Sequence, residues 1–253
     1  MARNRSKFLL KWALIALGLI ITYLVVFEFI IDKRPAVEWT LIKADSGQTQ
    51  AESQLVKLPN GQVLLFNAGE ASGSLMFHLK KQKIKDIDYL LLSSYQPAAI
   101  SGISDILKKG TRIKQVFYNP SSAESPSWIE IKQKFLREGV KTTPLESGKV
   151  IISQAITQLQ ILALEKNSLV LRLVHGKNSL AVGIGSPSGL GHQLSRLNCD
   201  LLRTEVLFNY TEIETKEPYL DWVGCLKPVY DLSSEKGTFK ILFKGDSFKL
   251  KRR

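Results

Sequence analysis

The chain has 253 residues, 44% of them apolar, and a formal net charge of +12. That length and apolar share suffice for one large core or two small ones. Two cysteines, Cys199 and Cys225, exclude a disulfide framework and lack zinc-site spacing, leaving either one bridge or two buried thiols.

Residues 1–11 form a short N-tail carrying Arg3, Arg5, Lys7 and Lys11. From Trp12 to Ile31 the sequence reads WALIALGLIITYLVVFEFII, with Glu28 as its one charge. At ~1.5 Å per residue this run rises ~30 Å, the thickness of a bilayer's hydrocarbon core. It is longer than the apolar region of a signal peptide, and no small-x-small cleavage pattern precedes Asp32-Lys33-Arg34. The expectation is an uncleaved signal anchor over 12–31. Four cations precede the span, whereas Glu28 and Asp32 dilute the cations on the other flank. The positive-inside rule then places the N-terminus in the cytoplasm. That describes a single-pass protein of the inner (cytoplasmic) membrane, with its body on the periplasmic or extracellular side. Residues 1–34 carry +4 of the net charge and the rest +8, part of it in a basic tail over 249–253. Such an excess either coats a solvated surface or concentrates polyanions such as nucleic acid or anionic lipid.

After a linker over 32–38, a domain is expected over 39–248. It opens with a meander of short strands. Leu55–Leu58 and Gln62–Phe66 flank Pro59-Asn60-Gly61, a hairpin turn because Asn and Gly tolerate positive φ. Helical spacing of Leu75 and Leu79 predicts a helix over Gly73–Gln82. The nearly continuous apolar run Asp88–Ser93 (DYLLLS) suits a strand buried on both faces. A helix over Ile100–Lys109, a strand over Ile113–Tyr118 and a helix over Trp128–Glu138 closed by Gly139 follow. Between the last two, Ser121–Ser127 (SSAESPS) reads as a flexible loop.

The second half starts again with strands at Lys149–Ser153, Thr157–Leu164, Ser168–His175 and Ser179–Ile184. A helix near His192–Leu197, a strand at Asp200–Phe208, a helix at Glu217–Leu226 and strands around Val229 and Phe239–Phe243 complete it. Two successive sets of strands then helices predict an α/β fold, a four-layer αββα sandwich, preceded by one transmembrane helix.

Six segments in order resemble the metallo-β-lactamase superfamily, and specifically the extracellular hydrolase-like domain of ComEC-type DNA-uptake competence proteins. They are ADSGQTQ (Ala44–Gln50), LPNGQVLLFNAG (Leu58–Gly69) and DYLLLSSYQPAAISG (Asp88–Gly102), then NSLVLRLVHGKNSLAVGIG (Asn167–Gly185), DLLRTEVLFN (Asp200–Asn209) and YLDWVGCLKP (Tyr219–Pro228). In that family the third segment carries S-H-x-H-x-D-H, the fourth ends in T-G-D, and the fifth carries a histidine pair.

The resemblance implies two metal ions ~4 Å apart, bridged by a water ionised as nucleophile. Matched residue by residue, the family's metal-ligand positions fall here on Ser94, Gln96, Ala98, Ala99, Gly185, Val206 and Leu207. The aspartate of its early turn falls on Asn67. None of these is a histidine or a carboxylate, so no metal or other cofactor is expected. Of the three histidines, His78, His175 and His192, only His192 follows a segment near the ancestral cleft. A Ser94–His192 pair lacks an orienting carboxylate and an oxyanion donor that the sequence can name.

These readings favour a catalytically inactive, membrane-anchored binding or scaffold module outside the cytoplasmic membrane. Nucleic acid is the first ligand it suggests, with Tyr95, Phe117, Tyr118 and Trp128 as stacking candidates. The alternatives are a docking partner in an envelope protein complex and a hydrolase with a relocated or metal-independent active site.

Overall fold

The computed structural model describes residues 12–26, 36–43, 52–69, 73–122, 124–166, 168–176, 178–185, 202–204, 239–244 and 247–252. The chain divides into two units, Met1–Pro35 and Ala36–Arg253. In the first, helix α1 covers 12–26, where Thr22 Oγ1 donates to the Gly18 carbonyl at 2.8 Å. Of the span expected over 12–31, the last five residues lie outside the described residues. Among the described residues no helix is long and apolar enough to cross a membrane.

The second unit is a mixed α/β fold built on two sheets. Its strands and helices run β1 (Ala36–Lys43), β2 (Glu52–Lys57), β3 (Val63–Phe66), α2 (Gly73–Lys81) and β4 (Asp86–Leu92). Then come α3 (Pro97–Ile100), α4 (Ile103–Lys108), β5 (Arg112–Tyr118), α5 (Pro126–Arg137) and β6 (Lys141–Pro144). Strands β7 (Val150–Gln154), β8 (Thr157–Glu165), β9 (Ser168–His175), β10 (Asn178–Gly185) and β11 (Leu202–Thr204) make the second sheet. Strands β12 (Phe239–Lys244) and β13 (Ser247–Arg252) return to the first, which is ordered β13-β12-β1-β2-β3-β4-β5-β6.

The expected Pro59-Asn60-Gly61 hairpin is present. Lys57 pairs with Val63, and Gly61 turns the chain at φ 85°. Strands β3 to β6 are parallel, and their crossovers α2, α4 and α5 cover one face of the sheet. In β4, Leu90 and Leu92 pack with Leu79, Ile103 and Trp128 of these helices. Tyr89 and Leu91 pack on the other face, with Leu159, Leu171 and Leu173 of the second sheet. Burial on both faces is why this strand reads as one apolar run. Trp39 anchors the inter-sheet core, fully buried and stacked on Phe66 at 5.4 Å, with Nε1 donating to Gln54 Oε1 at 3.1 Å. On the far face of the second sheet, Ala163 and Val170 are also buried. The helices expected near His192–Leu197 and Glu217–Leu226, the strand around Val229, and Cys199 and Cys225 lie outside the described residues.

Three expectations need correction. The helix expected over Ile100–Lys109 is two short helices, α3 and α4, broken at Ser101-Gly102. Lys249–Arg252 are not a tail but belong to β13, which pairs antiparallel with β12. The linker ends sooner than expected, since β1 begins at Ala36.

Candidate functional site: the corner after strands β3, β4 and β5

The carboxyl ends of three adjacent parallel strands deliver Asn67, Ser93 and Asn119 to one corner of the first sheet. Asn67 has φ 50°, a left-handed conformation that Asn tolerates. Its Oδ1 accepts from the Ser93 amide at 3.0 Å and from Ser93 Oγ at 3.1 Å, and its Nδ2 lies 3.0 Å from the same hydroxyl. Asn119, fully buried, donates from Nδ2 to the Ser93 carbonyl at 2.9 Å and accepts from the Ser121 amide at 3.0 Å.

Ser122 and Ser125 extend this lattice from the segment read as a flexible loop. Ser122 Oγ accepts from the Tyr95 amide, and Ser125 Oγ donates to the Tyr95 carbonyl. Ser125 also caps α5, accepting from the Trp128 amide at 3.2 Å, with Pro126 opening the helix. Described residues of this segment are therefore fastened at both ends.

The family-aligned positions meet this corner unevenly. Ser94 is buried, with its hydroxyl 3.5 Å from the Gln96 amide. Gln96 is exposed and precedes α3 without capping it through its side chain. Ala99 is buried, and its carbonyl accepts from the Ala68 amide at 2.7 Å. Ala98 belongs to α3 by its backbone. Gly185 ends β10, opposite Ser168. Gln154, at the other end of the second sheet, bonds Gln62 at the amino end of β3. Gly185 therefore lies towards the same end of the molecule as Asn67. Val206, Leu207 and His192 fall outside the described residues.

A tight backbone approach closes the floor of the corner. The Gly102 amide donates to the Gly69 carbonyl at 3.1 Å, and Ser101 Oγ donates to the same oxygen at 2.8 Å. A Cβ on Gly102 would lie 2.2 Å from the Ala68 carbonyl oxygen. That approach requires glycine, and it breaks the helix the sequence predicted.

This donor set does not suit a di-metal centre. The described residues of the corner offer hydroxyls, amides and methyls, and the Asn67 and Asn119 amides are used up holding neighbouring strands. Among the described residues no three His, Cys, Asp or Glu side chains converge. His175 is buried elsewhere, its Nδ1 2.8 Å from Thr157 Oγ1. His78 sits on α2, edge-on to Phe77.

The stacking candidates are likewise engaged with one another. Trp128 is fully buried and stacks on Tyr95 at 4.5 Å, while Tyr118 lies 5.7 Å from Trp128. Phe117 belongs to the inter-sheet core. Burial of Tyr95 pushes its phenol pKa well above the ordinary value, with smaller contributions from Tyr118 and Glu124. Sequence reasoning missed Ser93, Asn119, Ser122 and Ser125; the Ser-Pro pair before α5, a helix-start pattern, is the one local cue among them.

No family profile matches the chain, and no curated protein matches it. Solved structures do. A metallo-β-lactamase fold protein, YhfI from Bacillus subtilis, is 17% identical over 66% of this chain and 70% of its own, with a TM-score of 0.42. Zn(2+)-bound PqqB from Methylobacterium extorquens is 11% identical over 68% and 71%, with a TM-score of 0.44. A diphosphatase from the PhnP family is 13% identical over 66% and 72%, with a TM-score of 0.43. At such identities and scores the likeness carries no statement about metal, substrate or activity.

Proposed function

We propose that this chain is a membrane-anchored, non-catalytic module, a degenerate relative of the hydrolase-like domain of ComEC-type proteins, that binds or scaffolds outside the cytoplasmic membrane. The observation that carries the reading is the fate of the corner after β3, β4 and β5. Where the resembled family has an aspartate and a histidine-rich loop, this chain has Asn67 bonded to Ser93, and Ser94 and Ala99 buried. These groups hold strands together and offer a metal ion no charged or imidazole donor. The apolar run over 12–31 supports the anchor, and its flanking cations support the orientation. Nucleic acid is the weaker choice of ligand, because Tyr95, Phe117 and Trp128 are buried and present no faces to bases.

Elemental analysis of the purified full chain tests the central point. The expected content of zinc, manganese and iron is far below one ion per chain, before and after incubation with each metal. One zinc or manganese ion per chain, retained through gel filtration, would overturn the reading.

A further inference from the structure

The end of the first sheet opposite the Asn67 corner is strongly basic. Strand register puts the start of β1, the end of β2, the starts of β3, β4, β5 and β6, and the β12–β13 turn along this one edge. A groove of about 610 Å³ opens there, lined among others by Lys57, Gln62, Lys83, Lys85, Asp88 and Lys114. Its acidic groups are already paired. Asp86 holds Arg112 through two hydrogen bonds, and Asp88 holds Lys114 at 2.7 Å while accepting from the Val63 amide. Among the described residues Lys57, Lys83 and Lys85 form no salt bridge, although Lys57 stands opposite Glu38 in the β1–β2 register and Lys85 helps to lower the Asp86 pKa. At the opposite end, Lys132 and Lys149 are paired, with Glu124 and Glu146.

Three further observations meet at the basic end. Ala36, where the chain enters the sheet, is in register with Lys244 there. Two large aliphatic side chains stand out from this end, Leu136 in the last turn of α5 (80% exposed) and Ile156 in the β7–β8 turn (52%). Finally, α2, α4 and α5 all end here in the same left-handed cap. Gly110 at φ 78° and Gly139 at φ 69° close the last two, but Lys83 at φ 55° closes α2. Each cap residue donates to the carbonyl three residues back, and the next amide donates five back (Lys83 to Lys80, Ile84 to Leu79). A lysine stands where the fold twice uses glycine, at a cost in backbone strain.

From this geometry we infer that the basic end is a docking surface for anionic phospholipid headgroups, seating the domain on the membrane with the Asn67 corner directed away. Cations combined with protruding aliphatic groups suit a headgroup layer, which accepts both. A polynucleotide would match the charge but leave Leu136 and Ile156 without a favourable contact. The inference rests on the anchored reading above, because Ala36 follows the expected span by only a few residues.

The test uses the full chain reconstituted in phosphatidylcholine vesicles with and without phosphatidylglycerol, with lysine acylation read by mass spectrometry. Labelling of Lys83 and Lys85 is expected to fall several-fold with the anionic lipid and to recover in ~0.5 M salt, which screens the attraction. Lys132 and Lys149 are expected to label equally in both vesicles. The variant Lys83→Gly is expected to raise the melting temperature while weakening protection of Lys85, an outcome misfolding cannot imitate. Equal labelling in both vesicle types, unchanged Lys85 protection in Lys83→Gly, or protection on neutral vesicles by a DNA oligonucleotide alone would overturn the surface. Flotation with neutral vesicles at high salt reports the anchor separately. If the chain fails to float there, the anchored reading falls. Flotation with anionic but not neutral vesicles at low salt would still support the surface, and flotation with neither would overturn it.

Discussion

Tyr95 shows how a residue beside the candidate site came to serve the core. Its ring lies against Trp128, its backbone is held by Ser122 and Ser125, and burial keeps its phenol neutral. An unfolded tyrosine ionises near pH ~10. The folded phenol, raised above that, contributes stability that is complete below ~10 and is lost as the pH climbs through the folded value, since only the unfolded chain gives up the proton. The wild-type melting temperature should therefore fall more steeply than that of Tyr95→Phe between pH ~9.5 and ~11, as measured by thermal melts of both proteins across that range. At this scale the sequence exposes what side chains replaced, and Ser94 and Ala99 are read directly from the aligned segment. It does not expose what they bond to. Ser93 finds Asn67 and Asn119 across 26 residues in each direction, a pairing no local pattern records.

Elements followed the sequence where periodicity and turn chemistry agreed. The β2–β3 hairpin is written in Pro59-Asn60-Gly61, and α5 is bounded by Ser125-Pro126 and Gly139. Strand β6 (KTTP) escaped because it is short, polar and ends in proline, as edge strands often are. Strand β13 escaped for a similar reason, since its cations resemble a solvated tail. The α3–α4 break escaped because its cause is remote, the Ala68 carbonyl against Gly102. Gly102→Ala must push backbone against backbone, and a loss of about 2–3 kcal/mol is expected. Gly73→Ala, with open space around its Cβ, is expected to stay within about 0.5 kcal/mol. Denaturant midpoints of the two variants, side by side, check the contrast.

Among the described residues of the second unit, lysines without a salt bridge gather at the end of the first sheet where β1 begins, away from the polar corner of Asn67. The first sheet also joins distant parts of the chain, since β1 lies between β2 and β12 and Trp39 pairs with Ile241. Removing residues 239–253 would leave β1 as a bare edge beside an apolar core. The truncated chain is expected to aggregate, with size-exclusion chromatography as the readout. The same pairing sets a timetable during synthesis. One partner of β1, strand β12, is made some two hundred residues after it, so the growing chain carries an unfinished edge until β12 has been made. Completion of the first sheet therefore waits for the β12–β13 hairpin.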